Sequence, residues 1–161
     1  MSSAATFFAM MGTIAPMKCT LSPGEWEASG DGVNVPKMMS KPKTGFWHHT
    51  MGFLLPAKQL QATDPECLAL LRGERRVVEP AVQQYCLANP KLLRLMTDAV
   101  LAWIESDPSQ LYYPVHYGDV VGFCECDLCK ALYADKGSIT DVVIWFDNQI
   151  AKAVAQKFPD K

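Results

Sequence analysis

Residues 123–130 read Phe123-Cys124-Glu125-Cys126-Asp127-Leu128-Cys129-Lys130 and are the most informative stretch of the chain. Three of the six cysteines fall within these residues, while Cys19, Cys67 and Cys86 are scattered. A disulfide framework that staples a whole fold spreads its cysteines along the sequence. The clustering therefore predicts a local group of sulfurs that pins one loop in place.

The Cys-x-Cys-x-x-Cys arrangement suits a metal ion. In a Cys-x-x-Cys turn two thiolates converge on one ion at about 2.3 Å each, and Cys124 adds a third sulfur. A closed tetrahedral site needs a fourth ligand, for which Cys86 is the best candidate. Strong zinc signatures have two paired knuckles and this chain has one. Three interpretations stay open: a structural zinc site, a disulfide within the group, or free structural thiols.

Two amphipathic helices are predicted from capping residues and apolar periodicity. The first starts at Asn89, with Pro90 in the first helical position, and ends at Asp107-Pro108. The second starts at Ser138, three residues before Asp141 in the manner of a capping box, and runs to Pro159. The predicted apolar stripes are Leu92, Met96, Ala99 and Trp103 in the first helix, and Val142, Phe146, Ile150 and Val154 in the second.

Two short apolar stretches are predicted as strands, 46–56 and 111–117. The resulting order of strand, helix, strand, helix is typical of an α/β fold with a parallel sheet covered by helices. Residues 1–45 include clusters of Gly, Pro, Ser and Lys and form an irregular N-terminal segment without an assigned domain. The sequence therefore predicts one α/β domain over 46–161.

Composition excludes several classes of protein. The chain has 161 residues, 49% of them apolar, and a net charge of -2, values of an ordinary globular protein. Without a basic excess, nucleic acid is a poor candidate partner. The apolar stretch 4–16 is too short to span a membrane, and no Lys or Arg precedes it as in a secretory signal.

Carboxylates and imidazoles supply the other candidate chemistry. Asp119 directly follows the second predicted strand, at the end where parallel α/β folds place their ligand sites. His48 and His49 point to opposite faces if that segment is a strand, so one of them can meet His116 on the neighbouring strand. The aromatic residues around them, Trp47, Tyr112, Tyr113 and Tyr117, suit a sugar ring; the alternative is that they are core residues.

The order of motifs over 46–161 resembles a bacterial family known as domain of unknown function 4838. Its most specific segments are Gln84-Tyr85-Cys86-Leu87-Ala88-Asn89-Pro90 and the cysteine stretch 124–132. Supporting matches are His49-Thr50, Asp64-Pro65-Glu66, Gly73-Glu74-Arg75, Asp119, Gly137-Ser138, the stretch 146–151 and 158–161.

The resemblance implies a segment of a glycoside-hydrolase-like (β/α)8 TIM barrel, found in large and often exported carbohydrate-active proteins. It assigns Asp119 as acid/base or sugar ligand, His49 as substrate-binding, and Cys86, Cys124, Cys126 and Cys129 as the sulfur group. Two positions depart from the family pattern: Tyr117-Gly118 stands where Gln-Asn is usual, and Asp64 where His is favoured. The first change removes two polar groups expected at the mouth of the barrel, and both argue against an intact catalytic site.

Two functions follow from the sequence. The first is a partial barrel that acts on or binds a glycan through Asp119, with Trp47, His49, His116 and Tyr117 as substrate-binding residues. Because a barrel needs about 250 residues, the rest of a longer chain, or self-association through open strand edges, would complete it. The second is a noncatalytic α/β module held by a cysteine metal or disulfide site and used for binding or assembly.

Overall fold

The computed structural model describes residues 26–28, 34–36, 49–77, 83–109, 113–118 and 122–161. Trp47, His48, Tyr112 and Asp119, which the sequence singles out for binding or catalysis, lie outside these ranges, as does Cys19. For the ranges 26–28 and 34–36 only the backbone pairing is described.

The elements run in the order β1 (Trp26–Ala28), β2 (Asn34–Pro36), α1 (Met51–Leu54), α2 (Ala57–Thr63), a 3-10 turn (Pro65–Cys67), α3 (Pro90–Ser106), α4 (Asp127–Lys136) and α5 (Ile139–Lys157). β1 and β2 pair antiparallel, with Glu27 opposite Val35. α3 packs against α5, α4 packs against α5, and the short α1 packs against α3. The described residues therefore form a helical group joined by irregular segments.

The expected fold, an α/β TIM-barrel-like segment with parallel strands, is wrong. The structure is mostly helical: the described residues form five α-helices, and their only named strands are the short β1 and β2. Every strand pairing and bridge within the described ranges is antiparallel, including the isolated bridges Leu68 to Tyr85 and Leu71 to Glu74. The described part of the chain therefore has no open parallel strand edges through which two copies could associate.

The two predicted strands fail for a physical reason. The described part of the first contains the helical turn α1, and a short apolar run does not distinguish a strand from a buried turn of helix. In the second, residues 113–118 lie in irregular backbone. Its carbonyl groups accept from other elements: His116 O from the amide of Met51 at 3.1 Å, and Pro114 O from the Thr50 hydroxyl at 2.7 Å.

The predicted first helix is confirmed as α3. The Asn89 side chain accepts a hydrogen bond from the amide of Lys91 at 2.8 Å, and Pro90 is the first helical residue. The buried stripe is Leu92, Met96, Val100 and Ile104, whereas Ala99 and Trp103 are only partly buried. The stripe follows a constant spacing of four residues, so its second half lies one position beyond the prediction.

The predicted second helix is confirmed as α5, together with its cap and its stripe. Ser138 Oγ accepts from the amide of Asp141 at 3.1 Å and donates to the carboxylate of the same residue at 2.6 Å. Val142, Phe146, Ile150 and Val154 are all buried and pack in one core with the α3 stripe. None of the described helices combines the length and the apolar character that crossing a membrane requires.

Asp147 is a polar residue within this apolar helical core. Its side chain is buried at 7% exposure, and its Oδ2 has no hydrogen-bond partner among the described residues. Burial raises the pKa of Asp147 well above its usual value, because desolvation disfavours the carboxylate. The folded chain therefore holds this proton more tightly than the unfolded chain does.

This pKa shift predicts a loss of stability with rising pH. The unfolded chain releases the Asp147 proton near pH 4, whereas the folded chain keeps it to higher pH. The stabilisation is therefore complete below about pH 4 and is lost as pH rises towards the folded pKa. In urea unfolding across this range, Asp147→Asn should flatten the decline and Asp98→Asn, an exposed carboxyl on α3, should leave it unchanged. Identical pH profiles for the wild type and Asp147→Asn would contradict this.

Candidate metal centre

Four cysteine sulfurs converge at one place in the structure. The Sγ atoms of Cys86, Cys124, Cys126 and Cys129 all lie within 4.8 Å of one another. Cys86 Sγ is 3.6 Å from both Cys126 Sγ and Cys129 Sγ. The structure thus brings together the four cysteines named from the sequence, and these four can hold a metal ion.

The sulfur separations match a site for a single ion. Metal–sulfur bonds of about 2.3 Å in a regular tetrahedron place the sulfurs about 3.8 Å apart. The separations of 3.6 Å are close to that edge and far from the roughly 2.05 Å of a disulfide bond. All four residues are free thiols in the structure. The geometry favours a mononuclear tetrahedral site over a disulfide.

Two separate segments deliver the ligands, and both lie at helix N-termini. Cys126 is the N-cap residue of α4, and Cys129 lies in its first turn. Cys86 lies just before α3, where its carbonyl accepts from the amide of the capping residue Asn89 at 2.9 Å. Peptide dipoles at a helix N-terminus stabilise nearby thiolates. The cluster therefore joins the start of α3 to the start of α4.

A third segment, residues 67–71, connects the two ligand segments through the backbone. Cys86 N donates to Cys67 O at 2.9 Å, and Glu125 N donates to Leu70 O at 2.8 Å. The amide of Leu70 also donates a hydrogen bond to Cys124 Sγ, at 3.3 Å. The backbone thus positions Cys124 while it supplies a hydrogen bond to its sulfur.

The environment shifts the pKa values of Cys86, Cys124 and Cys129 in different directions. Thiol hydrogen bonds from Cys129 and Cys86, with backbone amides that include that of Leu70, hold the pKa of Cys124 far below its usual range. Hydrogen bonding to Cys124 raises the pKa of Cys86, and it raises that of Cys129 to about 12. The cluster therefore favours the thiolate form of Cys124, which is the form that binds a metal.

The backbone of Cys67 contacts the cluster, since its carbonyl accepts from the amide of Cys86, but its side chain belongs to the helical core. Its side chain is fully buried and packs with the apolar residues of α3 and α5. Burial raises the pKa of the Cys67 thiol. A buried neutral thiol of this kind is a small apolar residue rather than a ligand, which makes Cys67 a suitable control position.

His49, His116 and Tyr117 also lie together. The His49 and His116 rings meet edge to face with centroids 5.7 Å apart, and the His116 ring stacks on Tyr117 at 5.4 Å. Tyr117 O is 3.2 Å from His49 Nδ1 and 2.8 Å from His116 Nδ1. Since a carbonyl oxygen only accepts, each bond needs the proton on that imidazole nitrogen; His116 Nδ1 also lies 3.4 Å from the amide of His49, which donates, so the role of His116 Nδ1 depends on its tautomer.

Thr50 holds this histidine group against α1. Its hydroxyl donates to Pro114 O at 2.7 Å and accepts from the amide of His116 at 2.8 Å. The residue is buried at 2% exposure, so water cannot replace either bond. His49 has a positive φ of 56°, a conformation that persists in a residue other than glycine only where neighbouring contacts hold it.

The described part of the chain thus defines a mostly helical protein with a candidate centre of four cysteines. The chain belongs to the family described as domain of unknown function (DUF4838), whose family model matches residues 23–161. This confirms the family named from the motifs and extends the match upstream of residue 46; it carries no information on glycoside-hydrolase likeness. No curated protein and no solved structure matches the chain.

The two hydrogen bonds of Thr50 predict how far its substitution lowers the free energy of unfolding. Thr50→Val keeps the shape of the side chain but removes its hydrogen bonds to Pro114 O and the His116 amide, which should lower the free energy of unfolding by about 1–3 kcal/mol. Thr50→Ser keeps the hydroxyl group, so its free energy of unfolding should fall by less than that of Thr50→Val. Chemical denaturation followed by circular dichroism measures both, and equal stability of the valine and serine variants would contradict the account.

Proposed function

We propose that this protein is a noncatalytic module organised by one structural zinc ion, which Cys86, Cys124, Cys126 and Cys129 bind. The observation that carries the proposal is the convergence of four sulfurs within 4.8 Å of one another. Four sulfur ligands complete a tetrahedral shell and leave no position for water or substrate, which is typical of structural rather than catalytic zinc.

The choice of zinc follows from the donor set. Soft thiolates arranged tetrahedrally suit zinc or iron, and they do not suit magnesium or calcium, which take oxygen ligands. A two-iron or four-iron cluster divides its four cysteines among two or more iron atoms, so the sulfurs on different irons lie further apart than sulfurs on one ion. The mutual separations here support a single ion, for which zinc is the common occupant of a closed four-cysteine site.

The centre would stabilise the least regular part of the described chain. Three segments meet around the sulfurs: 67–71, 83–89 and 122–126. Apart from the end of the 3-10 turn, these segments contain no helix or extended sheet. Such segments contribute few regular hydrogen bonds to oppose unfolding. A metal that binds only the folded arrangement adds its binding free energy to the stability of the fold. It would thereby fix the surfaces with which the module binds or assembles.

Metal content tests the proposal directly. We expect protein purified without chelator to contain about one zinc per chain by inductively coupled plasma mass spectrometry, because four thiolates satisfy one ion. Cys129→Ser should lose the metal, since it removes one ligand from a closed shell. Cys67→Ser should keep it, because Cys67 lies in the apolar core.

Two outcomes would overturn this assignment. Retention of the full metal content by Cys129→Ser would show that the ion binds elsewhere. Absence of metal from the wild type, with thiol titration showing fewer free thiols than the six cysteines of the chain, would replace zinc by a disulfide. Absence of both would leave free structural thiols.

We also propose, as a second function, that His49, His116 and Tyr117 bind a carbohydrate. The supporting observation is that His49 and the adjacent pair His116-Tyr117, 67 residues further along the chain, contribute one partly buried group of rings, with His116 stacked on Tyr117 at an angle of 7°. Flat ring faces beside polar imidazole groups suit the apolar face and the hydroxyls of a sugar. The proposal concerns binding alone, because Asp119 and Trp47 lie outside the described residues.

Tyr117→Ala tests the carbohydrate site without dismantling it. The substitution removes the ring and keeps the backbone carbonyl that both imidazoles approach. For any oligosaccharide that binds the wild type on a glycan array, calorimetry should show affinity about tenfold weaker in the variant, or about 1.4 kcal/mol. Ile144→Ala on α5 is the control and should bind normally. Unchanged affinity of Tyr117→Ala, or no glycan bound by the wild type, counts against the site.

A further inference from the structure

A tight turn places a cationic side chain beside the sulfur cluster. Leu71 and Glu74 exchange both backbone hydrogen bonds, at 2.9 and 3.0 Å, around Arg72 and Gly73. Both central residues have positive φ, 52° and 81°, which defines a two-residue hairpin turn of the type that reverses a chain tightly. The reversal returns Arg75 alongside Leu68, next to the segments that carry the cysteines.

The Arg75 guanidinium contacts the cluster from this position. Its Nη1 atom donates to Leu68 O and to Glu66 O, the latter at 3.2 Å, and lies 4.0 Å from Cys124 Sγ. The side chain also interacts with the sulfurs of Cys86 and Cys126. Arg75 is half-buried, so its charge is less screened by water than that of a surface arginine.

Charge balance gives this contact a role. Four thiolates around a dication carry a net charge of about -2, and a partly buried excess charge is costly unless it is paired. The guanidinium supplies one positive charge and a planar set of donors that reaches several acceptors at once. Hydrogen bonds from outside the ligand shell also tune the affinity of a centre for its metal.

We propose that Arg75 is the electrostatic partner of the four-cysteine centre and tightens its binding of a dication. The inference rests on the proposed zinc site and adds to it a positioning residue that touches the ligands and not the metal. Arg76 is the next residue along the chain, but its exposed side chain pairs with Glu74 at 3.0 Å. The two neighbouring arginines therefore form a natural pair of test and control positions.

The test compares metal affinity in the full chain. Zinc dissociation constants from chelator competition should be about 10- to 100-fold weaker for Arg75→Met than for the wild type, the usual effect of removing a partner of the metal ligands. Arg76→Met should match the wild type. Arg75→Lys should recover part of the loss, because it restores the charge but not the planar fork.

Two further readouts separate this role from simple support of the loop. Cobalt substituted for zinc should show the same tetrahedral thiolate absorption in Arg75→Met as in the wild type, since all four ligands remain. If Arg75 served only to bind the Leu68 and Glu66 carbonyls, zinc affinity would be equal in Arg75→Met and Arg76→Met, which overturns the inference. If Arg75→Met does not fold, equal affinity of Arg75→Lys and the wild type overturns it instead. A wild type that binds no metal refutes the zinc site itself.

Discussion

The convergence of four sulfurs is the constraint on which the irregular half of the described structure depends. Cys86 precedes α3, whereas Cys124 and Cys126 precede α4 and Cys129 lies in its first turn, so bonds to a common ion fix the two helix starts relative to each other. Segment 67–71 lies between them and hydrogen bonds to both. Without that common point, these loops are held by a few backbone hydrogen bonds and by burial of Ala69 beside the sulfurs.

The helical half is stabilised by the burial of apolar side chains. α3 and α5 bury facing apolar stripes, and α4 packs on α5 across the short connection at Gly137-Ser138. This core needs no metal to bury its side chains, and it includes Cys67, whose thiol behaves as one more apolar group. The sulfur cluster lies in a separate small core with Ala69, next to the helical one. The division suggests that metal loss would loosen the loops before it disrupts the helices.

Sequence patterns predicted these features unequally, for physical reasons. The helices were predictable because Asn89 and Ser138 cap them through their own side chains and because their stripes persist over several turns. The four cysteines were predictable from ligand chemistry and motif order. The strands were not, since short apolar runs bounded by proline do not reveal whether their hydrogen bonds are local, and the parallel barrel inferred from them was wrong. The contact of Arg75 with the sulfurs was not predicted, although Gly73-Glu74-Arg75 is one of the family matches, because the positive φ angles of Arg72 and Gly73 direct the chain towards the sulfurs. A Gly after a turn residue hints at such a hairpin, but it does not identify what the returning side chain meets.

X-ray absorption spectroscopy at the zinc edge of the purified chain tests the central claim most directly, because it reports the kind, number and distance of atoms around the metal. A zinc ion bound by the four cysteines should show a single shell of four sulfur atoms at about 2.3 Å. A shell that contains nitrogen or oxygen atoms, a short metal–metal vector, or the absence of zinc from a protein with intact thiols would contradict it.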